Sequence, residues 1–144
     1  MRKGRVSLSN HAYFITTVTN ERVPWFTDMA CARLAVAEMR RLHEDGFVES
    51  LAWVVMPDHV HWLLQLQGAQ SLARVVRLFK GRVARKINQM MTRSGTFWQR
   101  SYYDHGIRTD EDLRAVARYL VANPLRKGLV TCIGDYSHWD AVWL

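Results

Sequence analysis

"VVMPDHVHWLLQL", residues 54–66, decides how this chain is read. Extended with its flanks it gives "FVESLAWVVMP" and "HVHWLLQLQ", two apolar, β-branched and aromatic runs joined at Pro57-Asp58. A break that short places two strands side by side as a hairpin. Successive side chains on a strand point to opposite faces, so His59 and His61 share one face about 7 Å apart at Cα, and Val60 points to the other. Two imidazoles so placed can reach a single ion; they can equally be polar side chains on a wet strand face.

Working outward, "AYFITTVTN" (12–20) reads as a strand closed by Asn20. Asp28 caps a helix over "MACARLAVAEMRRLHEDG", which stops at Gly46. Ser71 opens a second helix with a core stripe of Leu72, Val75, Val76, Phe79, Val83, Ile87 and Met90. "FWQRSYYDHGIR" (97–108) supplies a fourth strand around Tyr102–Ile107. Thr109 and the acidic run Asp110, Glu111 and Asp112 start a third helix, with Leu113, Val116, Ala117 and Leu120 inward, and Asn123-Pro124 ends it. The order β-α-β-β-α-β-α predicts a ferredoxin-like α+β sandwich, an antiparallel sheet with its helices on one face. At 144 residues the chain is expected to form a single domain, 1–144.

Charge narrows the function. The formal net charge is +7, and no Asp or Glu occurs between His59 and Tyr103. On the second helix Arg74, Arg77 and Arg85 fall opposite the core stripe, with Lys80, Arg82 and Lys86 on its flanks. A solvated helix normally mixes both signs, so this one-sided block points to phosphate chains. Trp62, Phe97, Trp98, Tyr102 and Tyr103 lie near it, where bases could stack, although each could as well be core. No apolar run approaches the ~20 residues that span a bilayer, the start lacks a secretory signal, and the two cysteines form no disulfide framework. The expectation is a cytoplasmic protein without a membrane partner.

Tyr119 and Asn123 stand four residues apart, on one flank of the third helix. Alone they are a half-buried aromatic and a helix terminator. Together with the rest, "MPDHVHWLL" resembles the HUH motif of single-stranded DNA endonucleases, and "ARYLVANPLRKGLV" is similar to the tyrosine-bearing helix of single-tyrosine transposases. The nearest likeness is to the REP-associated tyrosine transposases, relatives of the IS200/IS605 group, and it runs from "YFITTVTNER" (13–22) to "NPLRKGLV" (123–130).

That resemblance implies a metal-dependent endonuclease and strand transferase acting on single-stranded or hairpin DNA. His59, His61 and the amide of Asn123 would hold Mg²⁺ or Mn²⁺, and Tyr119 would attack phosphorus to form a 5′-phosphotyrosine. In the wider group the third ligand is commonly glutamine; here the shorter Asn123 stands in its place. Candidate DNA contacts are Arg74, Arg77, Lys80, Arg82, Arg85, Lys86, Trp98, Arg100, His105 and Arg126. The REP branch further implies a monomer. Two alternatives explain part of the pattern. A non-catalytic nucleic-acid-binding ferredoxin-like module leaves the His59/His61/Tyr119/Asn123 set as coincidence, and a histidine phosphoesterase does not require Tyr119.

Overall fold

The computed structural model describes residues 12–108, 110–129 and 138–141. The expected cap Thr109, together with Cys132 and Tyr136, lies outside the described residues. The hairpin forms as expected: β2 (Val48–Met56) and β3 (His59–Leu66) pair antiparallel across the turn Pro57-Asp58, with Met56 opposite His59 and Val54 opposite His61. β1 (Ala12–Val18) pairs with β3, and β4 (Tyr103–Ile107) with β1. A short β5 (Trp139–Ala141), which the sequence pattern did not announce, extends the sheet beyond β2. The strand order is β4-β1-β3-β2-β5, all neighbours antiparallel. The first four strands thus have the split β-α-β order expected of the sandwich.

α1 (Met29–Glu44) begins where Asp28 accepts from the backbone N–H groups of Ala30 and Cys31, and it ends before Gly46, whose φ of +81° suits a residue without Cβ. α2 (Leu72–Met90) begins where the Ser71 hydroxyl accepts from Arg74 N–H. Both pack on the sheet face that carries Ile15, Val60, Trp62 and Leu64. Val75, Val76, Phe79, Val83 and Ile87 are buried there as the stripe predicts, whereas Met90 is exposed at the helix end. Trp62 is core, fully buried, with its indole N–H donated to Ser50 Oγ at 2.9 Å.

α3 (Asp110–Val121) corrects the expectation of helices on one face. Leu113, Ala117, Leu120 and Val121 pack with Ala12, Val54, Met56, Leu63 and Ile107, on the opposite side of the sheet from α1 and α2. The reason lies in β2 and β3. Val54, Met56 and Leu63 leave an apolar second face that needs cover, and a bulge at Leu51 turns both Leu51 and Ala52 toward it. A single further turn, α4 (Asn123–Arg126), follows with Pro124 near its start. Asn123-Pro124 therefore ends α3 without ending helical backbone. Among the described residues no helix is long and apolar enough to cross a membrane.

The α1–α2 contact contains one charged clamp. Glu38, 1% exposed, accepts from Lys86 Nζ, with Arg41 at the limit of ion-pair range at 3.9 Å. Breaking a buried pair leaves an uncompensated charge, at a cost of roughly 3–5 kcal/mol. Lys86→Ala should lower the unfolding free energy by about 3 kcal/mol in urea titrations, and Glu38→Leu with Lys86→Leu should recover most of it. A loss below about 1 kcal/mol, the size of an exposed pair, would show that the clamp is not buried in solution.

Candidate active site

Because α3 lies on the face to which His59 and His61 point, the histidine pair and the helix meet. Their rings stand edge to face with centroids 4.7 Å apart. Phe14, from β1 on the same face, stacks on His61 at 5.3 Å. Asn123, 4% exposed, brings its side-chain Nδ2 to 3.5 Å from His59 Nε2. Tyr119, one turn back, is 58% exposed rather than half-buried.

The hydrogen bonds fix which ring atoms are available. Asp58 Oδ1 lies 2.7 Å from His59 Nδ1. Burial raises the Asp58 carboxyl, but hydrogen bonds from His59 and Arg22 prevail and hold it below its ordinary value. Burial pulls His59 below the usual imidazole range, against the pull of Asp58. A neutral His59 beside a carboxylate carries its proton on Nδ1, which leaves the Nε2 lone pair bare toward Asn123. Thr16 Oγ1 lies 2.8 Å from His61 Nδ1 and can accept that proton, leaving the second Nε2 bare in the same way. Burial, with the charges of His59, Arg126 and Lys127, pushes His61 down to about 3.

The turn that carries Asp58 is held from outside. Thr19 N–H and hydroxyl donate to Asp58 O at 2.9 and 3.1 Å, and Phe26 N–H donates to Pro57 O at 3.0 Å. Glu21 and Arg22 both adopt left-handed backbone, φ +56° and +53°, and Arg22 reaches Asp58 Oδ2 at 3.1 Å. Consecutive non-glycine residues in that region cost free energy and concentrate at functional sites. Asp58, Thr16 and Arg22 were not singled out by sequence reading. The adjacency of an acid to the first histidine was the available signal, since a carboxylate behind a ligating imidazole is a recurrent arrangement.

The expected DNA contacts divide into two groups. Arg74, Arg77, Arg85, Arg100, His105 and Arg126 are exposed. The others are engaged in the fold. Lys80 Nζ donates to Gln99 O at 2.8 Å and approaches the carbonyls of Arg100 and Ser101, and burial lowers its pKa. Lys86 is held by Glu38. Arg82 is half-buried, with Nη1 closed off from solvent. Trp98 is 5% exposed and donates its indole N–H to Lys80 O, so it offers no face to a base; Phe97 is likewise buried. Tyr103 is the open aromatic, 67% exposed, on β4 in register with Thr16 and thus with His61.

The depressed histidines set a pH dependence. Unfolded, His61 binds a proton below its ordinary pKa of 6.5; folded, it stays neutral until about 3. The unfolded chain therefore holds more protons in that interval, so stability is full above pH 6.5 and falls as pH drops toward 3. For His61 alone the loss between pH 6.5 and 5 is roughly 1–2 kcal/mol. Denaturant titrations at pH 7, 6 and 5 should show this decline, and His61→Gln should flatten it; an equal slope in the variant would place the titration elsewhere.

Comparison with known proteins agrees with the fold. The profile of the family described as transposase IS200-like matches residues 7–123. A REP-associated tyrosine transposase of Escherichia coli is 27% identical over 126 residues, covering 86% of this chain and 72% of the relative. A Haemophilus influenzae protein assigned to the same transposases is 26% identical over 136 residues, covering 88% of this chain and 77% of the relative. A solved REP-associated tyrosine transposase, bound to a REP hairpin, shares the fold with a TM-score of 0.74 at 24% identity, over 96% of this chain and 81% of that one. With the family profile spanning most of its length, and the histidine pair facing α3 and α4, which bear Tyr119 and Asn123, this chain belongs to the IS200-like transposase family.

Proposed function

We propose that this protein is a metal-dependent single-stranded DNA endonuclease and strand transferase acting at hairpin-containing repeat DNA, with Tyr119 as nucleophile. The observation that carries this reading is the meeting of α3 and α4 with the histidine face, where Asn123 Nδ2 lies 3.5 Å from His59 Nε2 and the exposed Tyr119 stands one turn away. The hairpin substrate is taken over from the solved relative, which carries one.

The donors fit a divalent ion. Two neutral imidazoles with Nδ1 engaged offer Nε2, and the buried amide of Asn123 adds an oxygen. Among the described residues no trio of His, Cys, Asp and Glu converges, so the amide is the third donor at hand. Mg²⁺ or Mn²⁺ suits a site that must also release a phosphate oxygen, and when bound such an ion supplies Lewis-acid polarisation of the scissile phosphate. Tyr119 Oη forms the new bond to phosphorus and gives up its proton; the P–O3′ bond breaks, and the departing oxygen takes a proton to become a free 3′-OH. The 5′-phosphotyrosine conserves the phosphodiester bond, so a 3′-OH can reverse the step and join strands. Asn123 lies beside His59 of its own chain, with Tyr119 one turn before it, so a single chain carries all four residues of the proposed site.

The DNA path follows from the two faces. Arg74, Arg77 and Arg85 lie on the α2 side, and the active site lies beyond the sheet. A strand reaching both can pass β4, one of the sheet's two edge strands, which carries exposed Tyr103 and His105 and is flanked by exposed Arg100 and Arg108. Between β4 and α3 a cleft of about 380 Å³, lined by His105, Arg108, Asp112 and Val116, opens one helical turn from Tyr119.

Cleavage of a labelled hairpin-bearing single strand tests the reading. It should require Mg²⁺ or Mn²⁺, stop in EDTA, and be abolished by Tyr119→Phe with the dissociation constant for uncleaved DNA unchanged. Cleavage by Tyr119→Phe at the normal rate would instead favour a histidine phosphoesterase, and binding without cleavage under any metal would favour a non-catalytic module.

A further inference from the structure

Arg126 touches both the nucleophile and the amide. Its guanidinium lies over the Tyr119 ring, 3.6 Å from the centroid. Its Nη2 donates to Asn123 Oδ1 at 3.2 Å. Arginine can only donate, so the Asn123 atom facing it has to be the oxygen. The NH₂ group then faces His59 Nε2, which accepts because Asp58 holds the Nδ1 proton. One chain of donors and acceptors runs from Asp58 through His59 and Asn123 to Arg126, and its polarity is fixed at both ends.

That polarity is the wrong one for a metal ligand. Only Oδ1 of the amide has a lone pair to give, and it points away from His59. To join His59 Nε2 at a common ion, the amide must turn over, which sets its NH₂ against the Arg126 N–H groups. Two donors cannot face each other at hydrogen-bond distance, so the guanidinium must leave Asn123.

From this geometry we infer that Arg126 is a positioning residue that couples metal loading to the nucleophile: it holds Asn123 and the Tyr119 ring in a resting arrangement, and a divalent ion that takes Asn123 Oδ1 displaces it and frees Tyr119. The inference rests on the proposed metal reading and adds a competition to it. By linkage, whatever the ion does to Arg126, Arg126 does to the ion's affinity.

Mn²⁺ binding without DNA, followed by electron paramagnetic resonance, measures that competition. Arg126→Ala should tighten Mn²⁺ binding about tenfold, the effect expected for loss of one competing charge-assisted hydrogen bond. Arg126→Met, which keeps the aliphatic stem, serves if the alanine variant does not fold. Removing a cation would also favour Mn²⁺ through charge alone, so both changes are repeated in Asn123→Asp. A carboxylate can face Arg126 with one oxygen and the ion with the other, so no turning is needed, and the gain should shrink to roughly threefold or less. Equal gains in the two backgrounds, or none in either, overturn the competition.

A second readout is nuclear magnetic resonance. The Arg126 side-chain signals should be shifted upfield by the Tyr119 ring, should lose that shift on adding Mg²⁺, and should keep it in Asn123→Asp. Metal binding that leaves the shift in place overturns the coupling alone, whereas absence of any Mn²⁺ or Mg²⁺ binding overturns the metal reading and the coupling with it.

Discussion

The period of two along β3 is the constraint on which the structure depends. Val60, Trp62 and Leu64 enter the core beneath α1 and α2, so His59 and His61 must emerge on the other face. Sliding β3 by one residue would bury both imidazoles under the two helices and expose three large apolar side chains. The register with β1, which sets Thr16 opposite His61 and Val18 opposite His59, and that with β2, which sets Met56 opposite His59, are fixed from both sides. Burial of Trp62 and Leu64 thereby positions the chemistry without touching it.

The second face then does two tasks. At the end of the strands nearest Ala12 and Leu63 it is apolar, and α3 closes it with Leu113, Ala117 and Leu120. Towards the Pro57-Asp58 turn it carries the two imidazoles beside Val54 and Met56, and there α3 gives way to α4 and delivers Asn123. Asp58 belongs to the turn that sets the hairpin and also keeps the proton on His59 Nδ1, so the same two-residue connection serves register and reactivity. The strained backbone at Glu21 and Arg22 fits this view, because it accompanies the Arg22 contact that, after the His59 hydrogen bond, helps hold the Asp58 carboxyl below its ordinary value.

Much of this was legible in the residues. Pro57-Asp58 marked the hairpin, Asp28 and Ser71 marked the helix starts, and the stripe from Val75 to Ile87 named the α2 core, because each depends on neighbours a few residues away. What escaped depends on distant partners. The side chosen by α3 could not be read from its own apolar stripe, which fits either face; the bulge at Leu51 and the apolar Val54, Met56 and Leu63 decide it. Lys86 looked like a flank cation until Glu38, 48 residues earlier, claimed it, and Lys80 meets backbone carbonyls that no side-chain pattern reveals. The wheel likewise placed Met90 in the core, but at the last turn of α2 it is exposed.

The central claim is that Tyr119 is the nucleophile that attacks phosphorus, and among the described residues Tyr103 is the rival on the same face. Tyr103 is the more exposed of the two and shares the histidine face, two strands from His61. Among the described contacts it has no side-chain amide beside it and no cation set over its ring, whereas Tyr119 has Asn123 four residues on and Arg126 over its ring. Trapping the protein on a single strand whose cleaved 5′ fragment can diffuse away, denaturing it in SDS and mapping the DNA-bearing peptide by mass spectrometry separates them. The account predicts a 5′-phosphate ester on Tyr119; DNA found on Tyr103, or no covalent species under conditions that cleave, would contradict it.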